Sequence, residues 1–202
     1  LRAQAASARA AASFECTTIS SMRLWWLIVV DVGSRWIEVI FVGTSKANTY
    51  IAFETGWIWR WCRPQRGGHD VGGEFVADLF ISLCDRFAIA NLTTPAYASD
   101  RHAVPERGIR TVKSAASRGL AALRRRGPVK FKQLETLMKA VQNGANNEEQ
   151  AGGYAASHRM IGRSTNPLPL AFDQNIAQLH ATQPSELIEV QRIASEAWRA
   201  AA

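Results

Sequence analysis

The sequence predicts an α/β fold: a mixed five-stranded sheet flanked by helices and followed by a C-terminal helical arm. Three observations carry this. Two runs rich in β-branched and aromatic residues, Leu24–Val32 and Arg35–Val42, flank the turn-forming pair Gly33–Ser34, the signature of an antiparallel hairpin. Downstream, apolar residues recur at spacings of three and four in Ser45–Trp61 and Glu74–Phe87, alternating with short strand-like runs. The 202 residues, 47% hydrophobic and 20% charged, also suffice to bury one core of ordinary size.

Taken in order, residues 1–13 are expected to form a poorly ordered lead-in. The Ala-rich stretch Arg2–Ser13 has no compact apolar segment followed by a cleavage site, so it is not read as a secretion signal. Phe14–Thr18 is expected as a short strand, then the hairpin, then a helix over Ser45–Trp61 with Tyr50, Phe53, Trp57 and Trp61 on one face. Pro64 and Gly67–Gly68 end it, and His69–Val71 forms a short strand. Glu74–Phe87 reads as an amphipathic helix presenting Phe75, Leu79, Leu83 and Phe87, and Ala88–Leu92 as the last strand. After a loop, a long basic helix runs from Pro105 to Arg126, since proline is tolerated in a first turn. Gly127–Pro128 breaks it and Val129–Asn143 forms another. The expected core domain is therefore 14–150, with a partly helical extension over 151–202 whose clearest helix is Ser185–Ala201. The seven tryptophans fall in these patterns and are read as core.

Bulk properties narrow the function classes. The net charge of +7 leans toward an anionic partner. Cys16, Cys62 and Cys84 are scattered without a C-x-x-C pair, against a structural zinc site or a disulfide framework and in keeping with a reducing compartment. The longest apolar run, Leu24–Val30, is too short to span a bilayer, so neither a transmembrane segment nor a membrane partner is expected. The first residue, Leu1, is compatible with a fragment of a longer polyprotein.

Three strands, a helix, a strand, a helix, a strand and then helices is the order of a ribonuclease-H-like fold. The sharpest local feature is His69-Asp70-Val71-Gly72-Gly73-Glu74-Phe75 followed by Pro105-Glu106-Arg107, with 35 residues between Asp70 and Glu106. D-x-G-x-E-F after a short strand, then Glu-Arg opening a helix, resembles the second and third acidic positions of retroviral and retrotransposon integrase cores. Further words resemble that family in the same order: Trp57–Pro64, Thr93-Thr94-Pro95-Ala96-Tyr97, and Gly152-Gly153-Tyr154 through Ile161-Gly162-Arg163. The likeness covers Phe14 to Arg163.

The resemblance implies DNA strand transfer by displacement at phosphorus, with Mg²⁺ or Mn²⁺ as cofactor. Hard divalent ions take carboxylate oxygens, and a pair of them can clamp attacking and leaving oxygens. Asp70 and Glu106 would be two of the ligands. The first acidic position departs from the family: where an Asp is usual, this sequence has Phe14-Glu15-Cys16-Thr17-Thr18. Glu15 is read as its equivalent, both catalytic and metal-holding, and Asp31 in Val29-Val30-Asp31-Val32 is the alternative. The extra methylene of Glu15 shifts the carboxylate outward, which metal geometry tolerates poorly. A second departure is His102-Ala103-Val104-Pro105 in place of the usual Asn-Gly before the Glu.

On the helix after Glu106, Arg107 is adjacent, and Arg110 and Lys113 lie four and seven residues on, so the latter two share the Glu106 face. The family uses such positions on backbone phosphates, which set register rather than read sequence. Arg124-Arg125-Arg126 is read either as added non-specific affinity or as a solvated helix end. The resemblance also implies DNA ends and target DNA as partners, a homodimer or higher oligomer, and a nuclear location if the source is eukaryotic. Two readings compete: a working integrase core, and a decayed one that binds DNA without cutting it. Another ribonuclease-H-like nuclease is a third.

Overall fold

The computed structural model describes residues 8–19, 22–69, 72–93, 103–147, 149–150, 154–161 and 185–201. The chain divides into two compact units, Leu1–Ile109 and Arg110–Ala202.

The first unit is built on strands β1 (Ala8–Ile19), β2 (Met22–Asp31), β3 (Ile37–Gly43), β4 (Arg66–His69) and β5 (Ala90–Thr93). They join in one mixed sheet, in the order β3-β2-β1-β4-β5. β2 is antiparallel to both β1 and β3, whereas β4 is parallel to β1 and to β5. β1 corrects the expected lead-in: it starts at Ala8, not Phe14, and pairs with β2 from Ala8↔Asp31 onward. Alanine is a weak strand former, but the pairing edge offered by β2 overrides that preference. Leu24, Trp26, Leu27, Ile28, Val29 and Val30 of β2 are all buried, which explains an apolar run without alternation: this strand is covered on both faces.

β3 shows how each face is covered. Successive side chains point oppositely, and Ile37 and Glu38 meet different helices. On one side, Ile40 lies beneath Gly56, where an added Cβ would come within 2.6 Å of Ile40 Cδ1. The expected helix Ser45–Trp61 stands as one continuous helical run over 46–61, with a winding that changes along its length. A 3₁₀ turn at Lys46–Asn48 precedes α1 (Thr49–Phe53), a π turn occupies Glu54–Ile58, and α2 (Trp59–Trp61) completes the run. The wider π turn lets the consecutive residues Trp57 and Ile58 both be buried. Beneath it Glu38, fully buried, accepts from Trp36 Nε1 at 3.1 Å, Trp61 Nε1 at 3.2 Å and Arg60 Nη1 at 3.1 Å. Trp36 and Trp61 meet edge to face at 5.1 Å.

Several element boundaries differ from expectation. β4 covers Arg66–His69 rather than His69–Val71, and Asp70 and Val71 lie outside the described residues. α3 is Asp78–Arg86, because Gly72–Val76 forms a turn in which Phe75 N and Val76 N donate to Gly72 O. Its buried face is Phe80, Leu83 and Cys84, and Leu79 is exposed, correcting its placement in the core.

α4 runs Ala103–Arg124, and Pro105 is buried in its first turn. In the second unit α5 covers Phe131–Asn147, a two-stranded ladder pairs β6 (Glu149–Gln150) with β7 (Tyr154–Ala155), α6 covers Ala156–Ile161 and α7 Ser185–Arg199. The stretch read as an arm packs back: Val190, Ile193, Ala194 and Ala197 are buried, and Trp198 lies against Gly144 of α5. Glu189 holds Arg192 at 2.6 Å and also pairs with Arg126. Among the described residues no helix is long and apolar enough to cross a membrane.

Candidate active site

β1, β3, β4 and β5 point the same way, so their carboxyl ends share one end of the sheet, where α/β sheets gather ligands. Glu15 stands toward that end of β1, paired with Trp25 of β2. β4 ends at His69, which pairs with Ala11 of β1 and Thr93 of β5. His69 is buried, and its Nε2 lies 2.7 Å from Asn91 Oδ1. Its ring stacks on Phe75, with centroids 5.0 Å apart at 22°, and Phe80 meets both rings edge-on. The two described flanks of Asp70 are therefore fixed to each other by aromatic packing.

Glu74, four residues after Asp70, has a side chain only 4% exposed and pairs with Lys46 at 3.4 Å. The same ammonium lies 4.3 Å from the ring centroid of Trp25. One lysine thus ties the cross-strand partner of Glu15 to the turn that follows Asp70. Neither Lys46 nor the Glu38 cluster stands out in the sequence, because each joins segments more than twenty positions apart.

Glu106 is exposed in the first turns of α4, as is Arg107, while Pro105 and Ile109 are buried. Further along the same helix Arg110 is exposed and Lys113 half-buried. The start of α4 is anchored where Gly108 approaches Ile37 Cδ1, to 3.3 Å from a Cβ built on the glycine. Ile37 pairs with Val30 and Glu15 pairs with Trp25, so five residues of β2, roughly 17 Å of strand, separate the two levels. Glu15 is also four residues beyond Ala11, the β1 partner of His69, or about 13 Å. Among the described residues no three His, Cys, Asp or Glu side chains group as a metal requires. The exposed carboxylate of Glu106 is of the hard-oxygen type that suits Mg²⁺ or Mn²⁺.

Asp31 serves the hairpin. It is 2% exposed, and its Oδ2 accepts from Ser34 N at 2.7 Å and Ser34 Oγ at 2.6 Å. It pairs with Ala8, toward the opposite end of β1 from Glu15. Its other carboxylate oxygen, Oδ1, is buried without a hydrogen-bond partner among the described residues.

No protein-family model matches the chain, and no curated protein matches it in sequence. Solved structures do match. The HTLV-2 integrase catalytic core domain, solved in complex with magnesium, aligns at a TM-score of 0.59 and 14% identity over 79% of this chain and 99% of that one. The BIV integrase catalytic core domain aligns at 0.57 and 17% identity, over 78% and 95%. A simian T-cell lymphotropic virus intasome, solved with the PP2A regulatory subunit B56 gamma, aligns at 0.62 and 14% identity, over 79% of this chain and 56% of that one. With its strand order, its helix run over β3 and a long helix carrying Glu106, the chain has the ribonuclease-H-like fold of retroviral integrase catalytic cores.

Proposed function

We propose that the chain is an integrase-type core that binds DNA and joins DNA strands by metal-dependent phosphoryl transfer. The observation that carries this is a fold shared with integrase cores over nearly their whole length. Glu106 at the start of α4, and the D-x-G-x-E-F sequence whose last four residues enter the Gly72–Val76 turn after β4, add to it. Glu15, Asp70 and Glu106 are the carboxylates that would hold Mg²⁺ or Mn²⁺. The bound ion would supply charge stabilisation for an in-line displacement at phosphorus. Arg107, Arg110 and Lys113 would hold the DNA backbone. Both dimeric and trimeric forms of the HTLV-2 core domain have been solved, which supports a homodimer or higher oligomer here.

A second reading is favoured by the strand register. Glu15 is level neither with the end of β4 nor with the anchor of α4, as expected of a core that keeps DNA binding and has lost cutting. The deciding assay is strand transfer on a DNA-end substrate with Mn²⁺ or Mg²⁺. Activity abolished by Glu15→Gln, Asp70→Asn or Glu106→Gln supports the first reading. Inactivity that returns on Glu15→Asp marks a decayed site. Inactivity in both, with DNA binding intact, leaves the binding-only reading. Absence of DNA binding overturns both.

A further inference from the structure

We propose that Lys46 is a nucleic-acid phosphate contact, held in place by Glu74 and Trp25 at the carboxyl end of the sheet; this rests on the DNA-binding reading above. Lys46 opens the 3₁₀ turn that follows β3, and two surfaces fix its ammonium. Glu74 holds it from the turn after β4 at 3.4 Å, and the Trp25 ring lies beneath it at 4.3 Å.

The exposure of the pair is lopsided: the Glu74 side chain is 4% exposed and that of Lys46 41%. The buried carboxylate therefore acts as the anchor and the ammonium as the part that meets solvent. A Lys–Glu pair kept only to join two segments gains little, because desolvation consumes much of the attraction and an apolar pair would serve as well. What the ion pair adds is a cation at a fixed place. An ammonium carries three N–H donors; one carboxylate oxygen and a ring face do not exhaust them, which suits a phosphate oxygen. Exposed Arg23 stands two residues before Trp25 on β2, on the same face of the strand, so a second positive charge lies toward this end. Phosphodiester backbones take such point charges without regard to base sequence.

The test is the salt dependence of binding to a labelled DNA duplex. If Lys46 neutralises one phosphate, Lys46→Gln lowers the slope of log K against log salt by about 1 and weakens binding several-fold near 0.1 M salt. Lys46→Arg keeps both. A thermal melt of each variant separates binding from folding. An unchanged slope in Lys46→Gln, in a protein whose slope falls on combined Arg110→Ala and Lys113→Ala, overturns this proposal and leaves the DNA-binding reading standing. A lowered melting temperature with an unchanged slope also overturns it, making Lys46 a purely structural partner of Glu74. A wild-type chain showing no salt-dependent binding overturns both at once.

Discussion

Trp61, at the end of α2, donates its indole N–H to the fully buried carboxylate of Glu38 on β3, 3.2 Å away and 23 positions back in the sequence. Arg60 reaches the other oxygen of that carboxylate but is itself 57% exposed. The two bonds therefore carry different weights. Trp61→Phe keeps the ring against Trp36 and removes a donor from a buried charge, so it should cost about 1.5–3 kcal/mol in denaturant unfolding. Arg60→Ala also removes a partner of that buried carboxylate, but from a side where water can take its place, so it should cost less, about 1–2 kcal/mol. A larger loss for Arg60→Ala would mean that the guanidinium, not the indoles, satisfies Glu38.

Gly56 should tolerate no side chain. A Cβ there falls 2.6–2.8 Å from three carbons of Ile40, so Gly56→Ala must push α1 and the π turn off β3. A destabilisation of about 1–3 kcal/mol is expected, and Ile40→Val in the same chain should recover part of it. Additive losses in the double variant would show that Ile40 is not the obstacle.

Cys62 adopts φ 130° and ψ 168°, a region that only glycine occupies without strain. Cys62→Gly should therefore stabilise the fold by about 1 kcal/mol, against the entropic penalty that glycine usually carries. The thiols should differ as well. Cys62 is exposed, whereas burial, assisted by the adjacent charge of Asp85, pushes the Cys84 thiol up to about 11. Alkylation of the native protein at pH 8, mapped by mass spectrometry, should label Cys62 and spare Cys84. Equal labelling would contradict the packing of α3.

Glu189 should confer a small acid sensitivity on the second unit. Hydrogen bonds from Arg192, and then from Arg126, pull its carboxyl down to about 2 from an ordinary 4.5. A lowered folded-state value stabilises the fold above the unfolded value, and that contribution fades as pH falls from about 4.5 to about 2. The site is solvent-facing, so screening holds the effect to about 1 kcal/mol or less. Glu189→Gln should flatten the stability profile in that window and leave it unaltered at pH 7 in shape.

How much of this was legible depended on whether a feature was local. The hairpin around Gly33–Ser34, the α4 helix and the proline in its first turn follow from short-range patterns, and they stand where the sequence placed them. Leu79 falls on the expected stripe only when Phe75 is counted as helical; Phe75 instead belongs to the Gly72–Val76 turn, whose backbone bonds are invisible in side-chain spacing. The first residues of β1 are illegible because alanine carries almost no strand signal, and its extra length comes from pairing with β2. The spacing of Glu15, Asp70 and Glu106 is plain in the sequence, though spacing alone assigns them no role. Their arrangement is not plain there, since the register of Glu15 against Trp25 is set by pairing across the β1–β2 hairpin. Lys46 is illegible for the same reason: an isolated lysine after a strand has meaning only once Glu74 and Trp25 are brought to it.

Strand β2 is bonded along both edges and covered on both faces, which gives it a distinct place in the dynamics of the chain. The amides of Trp26–Val30 have no local route to water, so their hydrogen exchange should wait for the sheet to open as a whole and report the global unfolding free energy. Amides of the short strand β4 and of the Gly72–Val76 turn, which rest on a few bonds and one aromatic stack, should exchange through smaller openings. The end of the sheet that carries the candidate site would then breathe while its centre stays closed.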